Sequence, residues 1–173
     1  LVATLDSNIV KTKGFHFPVY DEETDVFAQH QFLRPDTSVF YGADGYRELA
    51  EQDFKTFSAN DTILLNDDNF LKGMETIYNY PGNFTNKTLQ FQGFVFHGEE
   101  AQNNQLFLFR FGIVHCVSDS GVFGMLVEFP KHEDLKDDDW MRVTGKLSTM
   151  YYQPFKMTIP YLKVKSWESI KAP

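Results

Sequence analysis

The chain has 173 residues, 42% hydrophobic and 23% charged, with a formal net charge of −8. That is one domain's worth of chain, long enough to bury a core without disulfides or metal. Aromatics reach 16%, with 18 Phe, which excludes wholesale disorder, and no run of about 18 apolar residues exists to span a membrane as a helix.

Residues 1–36 read as irregular or extended, punctuated by Gly14, Pro18 and Pro35 and carrying the acid cluster Asp21, Glu22, Glu23 and Asp25. Around Tyr46–Phe57 the apolar residues Leu49, Ala50, Phe54 and Phe57 recur at offsets that allow a short helix. Thr62–Leu65 reads as a buried strand. Asp67 or Asp68 is then placed to cap a helix whose apolar stripe is Phe70, Leu71, Met74, Ile77 and Tyr78, and Pro81-Gly82 ends it. Beyond that helix the period changes to two. Strands are predicted around Leu89–Val95, Leu106–Cys116, Val122–Phe129, Trp140–Leu147 and Ile159–Val164, with a turn at Ser118–Gly121 and a charged loop over Lys131–Asp139. Gly93 and Gly145 fall within strands, where glycine lets a strand bend sharply around a small barrel. Five such strands predict a mainly β, α+β fold, a small OB-like Greek-key barrel with one or two short helices and an extended N-terminal segment. The alternative is an open antiparallel sheet covered by the Phe70–Tyr78 helix. The division expected is an extended, acidic segment over 1–60 and the β domain over 61–173, its helix near 68–80.

Charge is unevenly placed. Residues 1–86 carry 14 acids and 6 bases, and residues 87–173 carry 10 of each. An acidic first half argues against nucleic acid, whose backbone needs Lys and Arg to replace counterions. The last stretch reverses locally, with Lys146, Lys156, Lys163, Lys165 and Lys171 against Glu168. Beside these lie Tyr151, Tyr152, Phe155 and Tyr161, so the Tyr151–Lys165 end is a candidate binding surface; a solvated face of edge strands is the plainer reading of the lysines.

No phosphate-binding loop, dinucleotide fingerprint, nucleophile elbow or HExxH motif is present. Asp67-Asp68-Asn69 resembles the start of a calcium loop but lacks its glycine and terminal glutamate. The unusual constellation is Arg110 followed by His115, Cys116 and Asp119. Thiolate and imidazole would suit zinc, with His97 or His16 as further ligands. In a regular strand His115 and Cys116 point to opposite faces, so a shared ion requires the strand to break there. Packing of Cys116 as a small hydrophobe is the plainer reading, and catalysis by it lacks a base aimed at the sulfur. Arg110, inside an apolar strand, needs a partner such as Asp119, Glu128 or a ligand.

Several stretches together resemble the C-terminal soluble domain of the YcgQ-like family of bacterial membrane proteins, regarded as permease subunits. They are Leu5–Val10 with Lys13-Gly14, Asp68-Asn69-Phe70, Gly93-Phe94-Val95, the Arg110–Asp119 strand and turn, and Trp140-x-x-Val143-x-Gly145. The resemblance covers most of the chain and is strongest from Thr62 onward. It implies short spanning helices ahead of this segment, consistent with the initial Leu1, so that residues 1–60 become juxtamembrane. It further implies an extracytoplasmic domain tethered to a bacterial cell membrane beside a separately encoded multi-spanning permease. Many members carry Cys-Cys where this chain has His115-Cys116, which argues against dithiol chemistry and leaves room for zinc.

The expected function is therefore a non-enzymatic accessory domain of a membrane permease system, binding its partner or a ligand through Arg110, His115, Cys116, Asp119, Tyr151 and Tyr161. The alternative is a zinc-type sensor or metallochaperone domain using His115, Cys116 and Asp119. No other cofactor and no nucleic-acid partner is expected.

Overall fold

A six-stranded sheet organises the chain in a computed structural model that describes residues 38–98, 102–113 and 120–173. The reading of 1–36 as extended and the Ser118-Asp119 part of the predicted turn lie outside the described residues.

The elements run α1 (Ser38–Ser58), β1 (Thr62–Leu64), α2 (Phe70–Asn79), α3 (Pro81–Phe84), β2 (Thr88–Phe96), β3 (Gln105–Ile113), β4 (Ser120–Glu128), β5 (Trp140–Tyr152) and β6 (Met157–Ser169). The strand order is β1-β2-β3-β4-β6-β5, and β5 also pairs with β2, which closes five strands into a ring. Neighbours are antiparallel except β4–β6, and β1 is a parallel addition to β2. One edge of β2 is shared: Thr88–Gln90 takes β1 and Phe94–Phe96 takes β3. A mainly β fold accompanied by a few helices is thus observed, its strands following the alternating apolar pattern, and the open-sheet alternative is set aside by the β2–β5 pairing.

The glycines make closure sterically feasible. A Cβ at Gly93 would lie 2.5 Å from the Phe109 carbonyl oxygen, and one at Gly145 would lie 2.1 Å from that of Lys163. Both obstacles are backbone. Gly145 also adjoins the register shift between β5 and β6, where an irregularity increases local bend and twist.

Period-two alternation sorts the apolar residues into two clusters. Leu89, Phe91, Leu108, Met125, Val143 and Leu162 come from all five ring strands and pack with Phe70, Met74 and Ile77 of α2 and Phe57 of α1. This cluster fills the ring and the space beneath the helices. The opposite positions, including Phe94, Phe96, Phe107 and Phe109, form a second cluster with Tyr152, Phe155 and Tyr161. There the end of the β5–β6 hairpin folds against the outer sheet face, the Tyr152 ring 5.7 Å from Phe107.

Four local expectations are corrected. α1 is a 21-residue helix rather than a short one; its C-terminal end is tied to the sheet by Lys87, whose Nζ donates to the carbonyls of Ser58 and Asn60 at 3.2 and 2.8 Å. β1 is only three residues long with Leu64 exposed, since it has β2 on one side alone. Neither Asp67 nor Asp68 caps α2. Asn69 holds the N-cap position, and the entering turn is fixed by Asn66 Oδ1 accepting from the Asp68 and Asn69 amides at 2.9 and 3.1 Å. β4 begins at Ser120, ahead of the expected Val122, because Gly121 pairs across to Gly112.

Candidate functional site

Arg110 lies on β3 in step with Leu106 and Leu108, which face the ring interior. Its position directs a charged side chain to the end of an apolar core, and it is 3% exposed. Such burial is costly unless charge and donors are matched. Two contacts offset it. The guanidinium carbon lies 5.1 Å from the centre of the Phe70 ring, a cation–π arrangement. Nη2 donates to Asp67 Oδ1 in the turn before α2. Of the two acids expected to serve, Asp119 lies outside the described residues, and Glu128 Oε1 accepts instead from Gln105 at 3.1 Å. The pairing remains incomplete, because among the described residues the buried Nε has no hydrogen-bond partner.

Sequence reasoning casts Asp67 as a helix cap and misses it as the partner of Arg110. The turn before α2 and the end of β3 meet only once the ring has closed beneath the helix. No spacing in the sequence encodes that meeting.

His115, Cys116 and Asp119 lie outside the described residues, as does His16. Among the described residues no group of three or more His, Cys, Asp or Glu is placed to hold a metal ion. His97 is engaged otherwise. Its Nδ1 lies 2.7 Å from Asp137 Oδ1, and its backbone amide donates to the same oxygen at 2.9 Å. That pair pins the Lys131–Asp139 loop to the end of β2.

The aromatic–lysine end divides in two. Tyr151 is 56% exposed near the hairpin turn, with Met157 exposed on the facing strand. Tyr161 is instead buried in the outer cluster, and the Lys163 ammonium lies 6.0 Å from its ring centre. Tyr161 sits opposite Ser148 and Tyr151 opposite Thr158, so the two tyrosines do not form one surface. Lys146 faces Lys163 across the strands, and its Nζ donates to the Asn86 carbonyl at 3.2 Å.

Between α1 and α2 is a cavity of about 10 Å³ lined by Leu49, Ala50, Asp53, Glu75, Thr76, Asn79 and Tyr80, room for about one water. Burial pushes the Asp53 carboxyl above its ordinary value, and Lys72 opposes the shift. Across the same helix Tyr78 donates to the Gly124 carbonyl at 2.8 Å, and its burial raises the phenol well above its usual range. It ties α2 to β4 as a neutral donor.

The family described as the DUF1980 C-terminal domain matches residues 40–173. The chain is 55% identical over 172 residues, 99% of its own length, to the UPF0703 protein YcgQ of Bacillus subtilis (strain 168), of which the match covers 60%. It is 34% identical over 165 residues, 92% of its length, to a protein of Streptococcus mutans serotype c (strain ATCC 700610 / UA159) named "Putative two-component membrane permease complex subunit", again over 60% of the relative. The chain belongs to the DUF1980 C-terminal domain family, as the resemblance to YcgQ-like proteins implied, and spans about 60% of the length of these relatives. Among the described residues no helix is long and apolar enough to cross a membrane.

Proposed function

We infer that this chain is an accessory domain of a membrane permease complex, placed on the extracytoplasmic face of a bacterial membrane, where it binds a multi-spanning partner subunit or a ligand without catalysis. The observation carrying this reading is the Streptococcus relative, named as a subunit of a two-component membrane permease complex and aligned with 92% of the chain. The match covers 60% of each relative, which leaves room for a tether outside the matched part. The histidines among the described residues, His97 and His132, hold Asp137 and the Asn103 carbonyl.

The docking surface assigned to the partner is the end of the β5–β6 hairpin. Tyr151 and Met157 are two of the three exposed large apolar residues among those described, the third being Leu64. Met157 pairs with Tyr152 and Tyr151 with Thr158, so the two exposed side chains flank the hairpin end from opposite faces; an exposed Tyr and an adaptable Met each suit a protein interface.

The test is co-purification of the full-length protein with its multi-spanning partner from detergent-solubilised membranes. The expected result is a stable complex, with recovery falling about tenfold in Tyr151→Ala/Met157→Ala, as for loss of interface anchors. Full-length protein that purifies alone under every detergent tested overturns the reading. Sidedness is checked by labelling single cysteines introduced at exposed positions of intact cells, and protection from an impermeant reagent would place the domain inside. Zinc at His115 and Cys116 is decided by elemental analysis beside Cys116→Ala: stoichiometric metal lost in the variant would carry the sensor reading instead.

A further inference from the structure

The ion pair between Arg110 and Asp67 is lopsided. The Arg110 side chain is 4% exposed and that of Asp67 is 64% exposed. A carboxylate can bridge Nε and one Nη with two parallel hydrogen bonds. Asp67 supplies one oxygen to Nη2, and among the described residues the adjoining buried Nε–H has no acceptor. Buried polar groups are nearly always matched, so an orphan donor on a buried cation calls for an acceptor of its own. Phe70 covers the guanidinium by its ring face and offers no acceptor oxygen.

Asp67 is also free to leave. The turn carrying it is fixed by other residues: Asn66 Oδ1 takes the Asp68 and Asn69 amides, Asn69 Oδ1 takes the Asn66 amide at 2.6 Å, and Asn69 Nδ2 donates to the Leu64 carbonyl at 3.1 Å. None of these bonds uses the Asp67 side chain. Its carboxylate can swing into solvent while the turn and α2 stay in place.

We propose that Arg110 is a carboxylate-binding residue at the end of the ring, with Asp67 as a built-in, one-oxygen competitor that an incoming carboxylate displaces to bridge Nε and Nη2. The incoming group takes the place the aspartate vacates at Nη2, and its second oxygen reaches Nε. Among the described residues Arg110 is the one cation paired to Asp67, and a single guanidinium matches one negative charge, which favours a carboxylate over a phosphate dianion. The assignment is a property of this chain and does not depend on the permease reading.

The competitor gives the proposal a signature that a plain structural ion pair lacks. Intrinsic affinity is discounted by the fraction of molecules whose site is open. If Asp67 fills the site about nine-tenths of the time, removing it tightens binding about tenfold. The probe is acetate, titrated against chloride at constant ionic strength, with inorganic phosphate in a parallel arm. The readouts are the urea midpoint and the Arg110 Nε–H resonance of the wild-type chain, Asp67→Ala and Arg110→Met. Acetate should move the Nε–H resonance saturably in the wild type, with a dissociation constant about tenfold lower in Asp67→Ala. It should raise the urea midpoint of Asp67→Ala and leave that of Arg110→Met unmoved. Should Asp67→Ala not fold, the wild-type resonance alone decides. No saturable acetate shift there, an equal midpoint response from Arg110→Met, or saturation by phosphate and not acetate each overturns the assignment.

Discussion

Asp53 shows how a single carboxyl can set the pH response of this domain. It lines the small cavity between the two longer helices, and burial raises its proton affinity above the ordinary value of 3.8 while Lys72 works against the rise. The folded state therefore holds this proton more tightly than the unfolded state does. By linkage its contribution to stability is complete below 3.8 and is lost as pH rises through the higher folded value. Asp53→Asn removes that loss, since the amide is neutral throughout. Urea unfolding from acid towards neutral pH should show the stability of Asp53→Asn gaining on the wild type as pH rises. Parallel curves for the two proteins would mean that Lys72 fully compensates the burial.

At the scale of elements, the β5–β6 hairpin is the part that does two jobs. Its Met141–Leu147 segment lines the ring, while Tyr152 and Phe155 near the turn close over the outer aromatic face. The Tyr152 ring meets Phe155 edge-on at 4.9 Å and Phe107 at 5.7 Å, with the side chain 4% exposed. Truncating a buried aromatic of this kind costs about 3–5 kcal/mol. Tyr152→Ala should lose that much in urea denaturation, and a cost below about 1 kcal/mol would show that the hairpin end is only loosely seated. This hairpin also shows where the sequence is legible. Met141, Val143 and Leu147 alternate with polar residues, so β5 and its inward face can be read directly. The extension to Tyr152 cannot, because Ser148 and Thr149 interrupt the apolar alternation, and only pairing with Tyr161 and Pro160 on β6 makes them strand. The same limit holds at the candidate site. An arginine in an apolar strand announces that it needs a partner, but the meeting of Asp67 with Arg110 over 43 residues is set by ring closure and not by spacing. Gly93 and Gly145 are legible because a glycine inside a strand weakens it, and is kept where the backbone must bend or be approached closely.

For the whole molecule the question is whether the two aromatic-rich clusters behave as one cooperative unit. They sit on opposite faces of the same strands: Phe107 faces outward and Leu108 inward on β3, Leu126 outward and Met125 inward on β4. Losing either cluster removes the support that holds those strands in register for the other. The two tryptophans report on them separately, since Trp140 packs against the outer cluster, 5.9 Å from Phe94, and Trp167 against the inner one, 6.0 Å from Phe129. In the single-tryptophan variants Trp140→Phe and Trp167→Phe, fluorescence should give one transition each. Once each midpoint is referred to the circular-dichroism midpoint of the same variant, the two should coincide, as two-state unfolding requires. Opening of the hairpin end ahead of the ring would separate them, with the Trp140 signal in Trp167→Phe changing at lower urea. Such a split would make the outer aromatic face accessible under native conditions and would identify the hairpin as the moving part of the domain. Coincidence instead means that the ring, the helices above it and the hairpin across its outer face unfold together, so that a partner docked at Tyr151 would stabilise the entire domain by mass action.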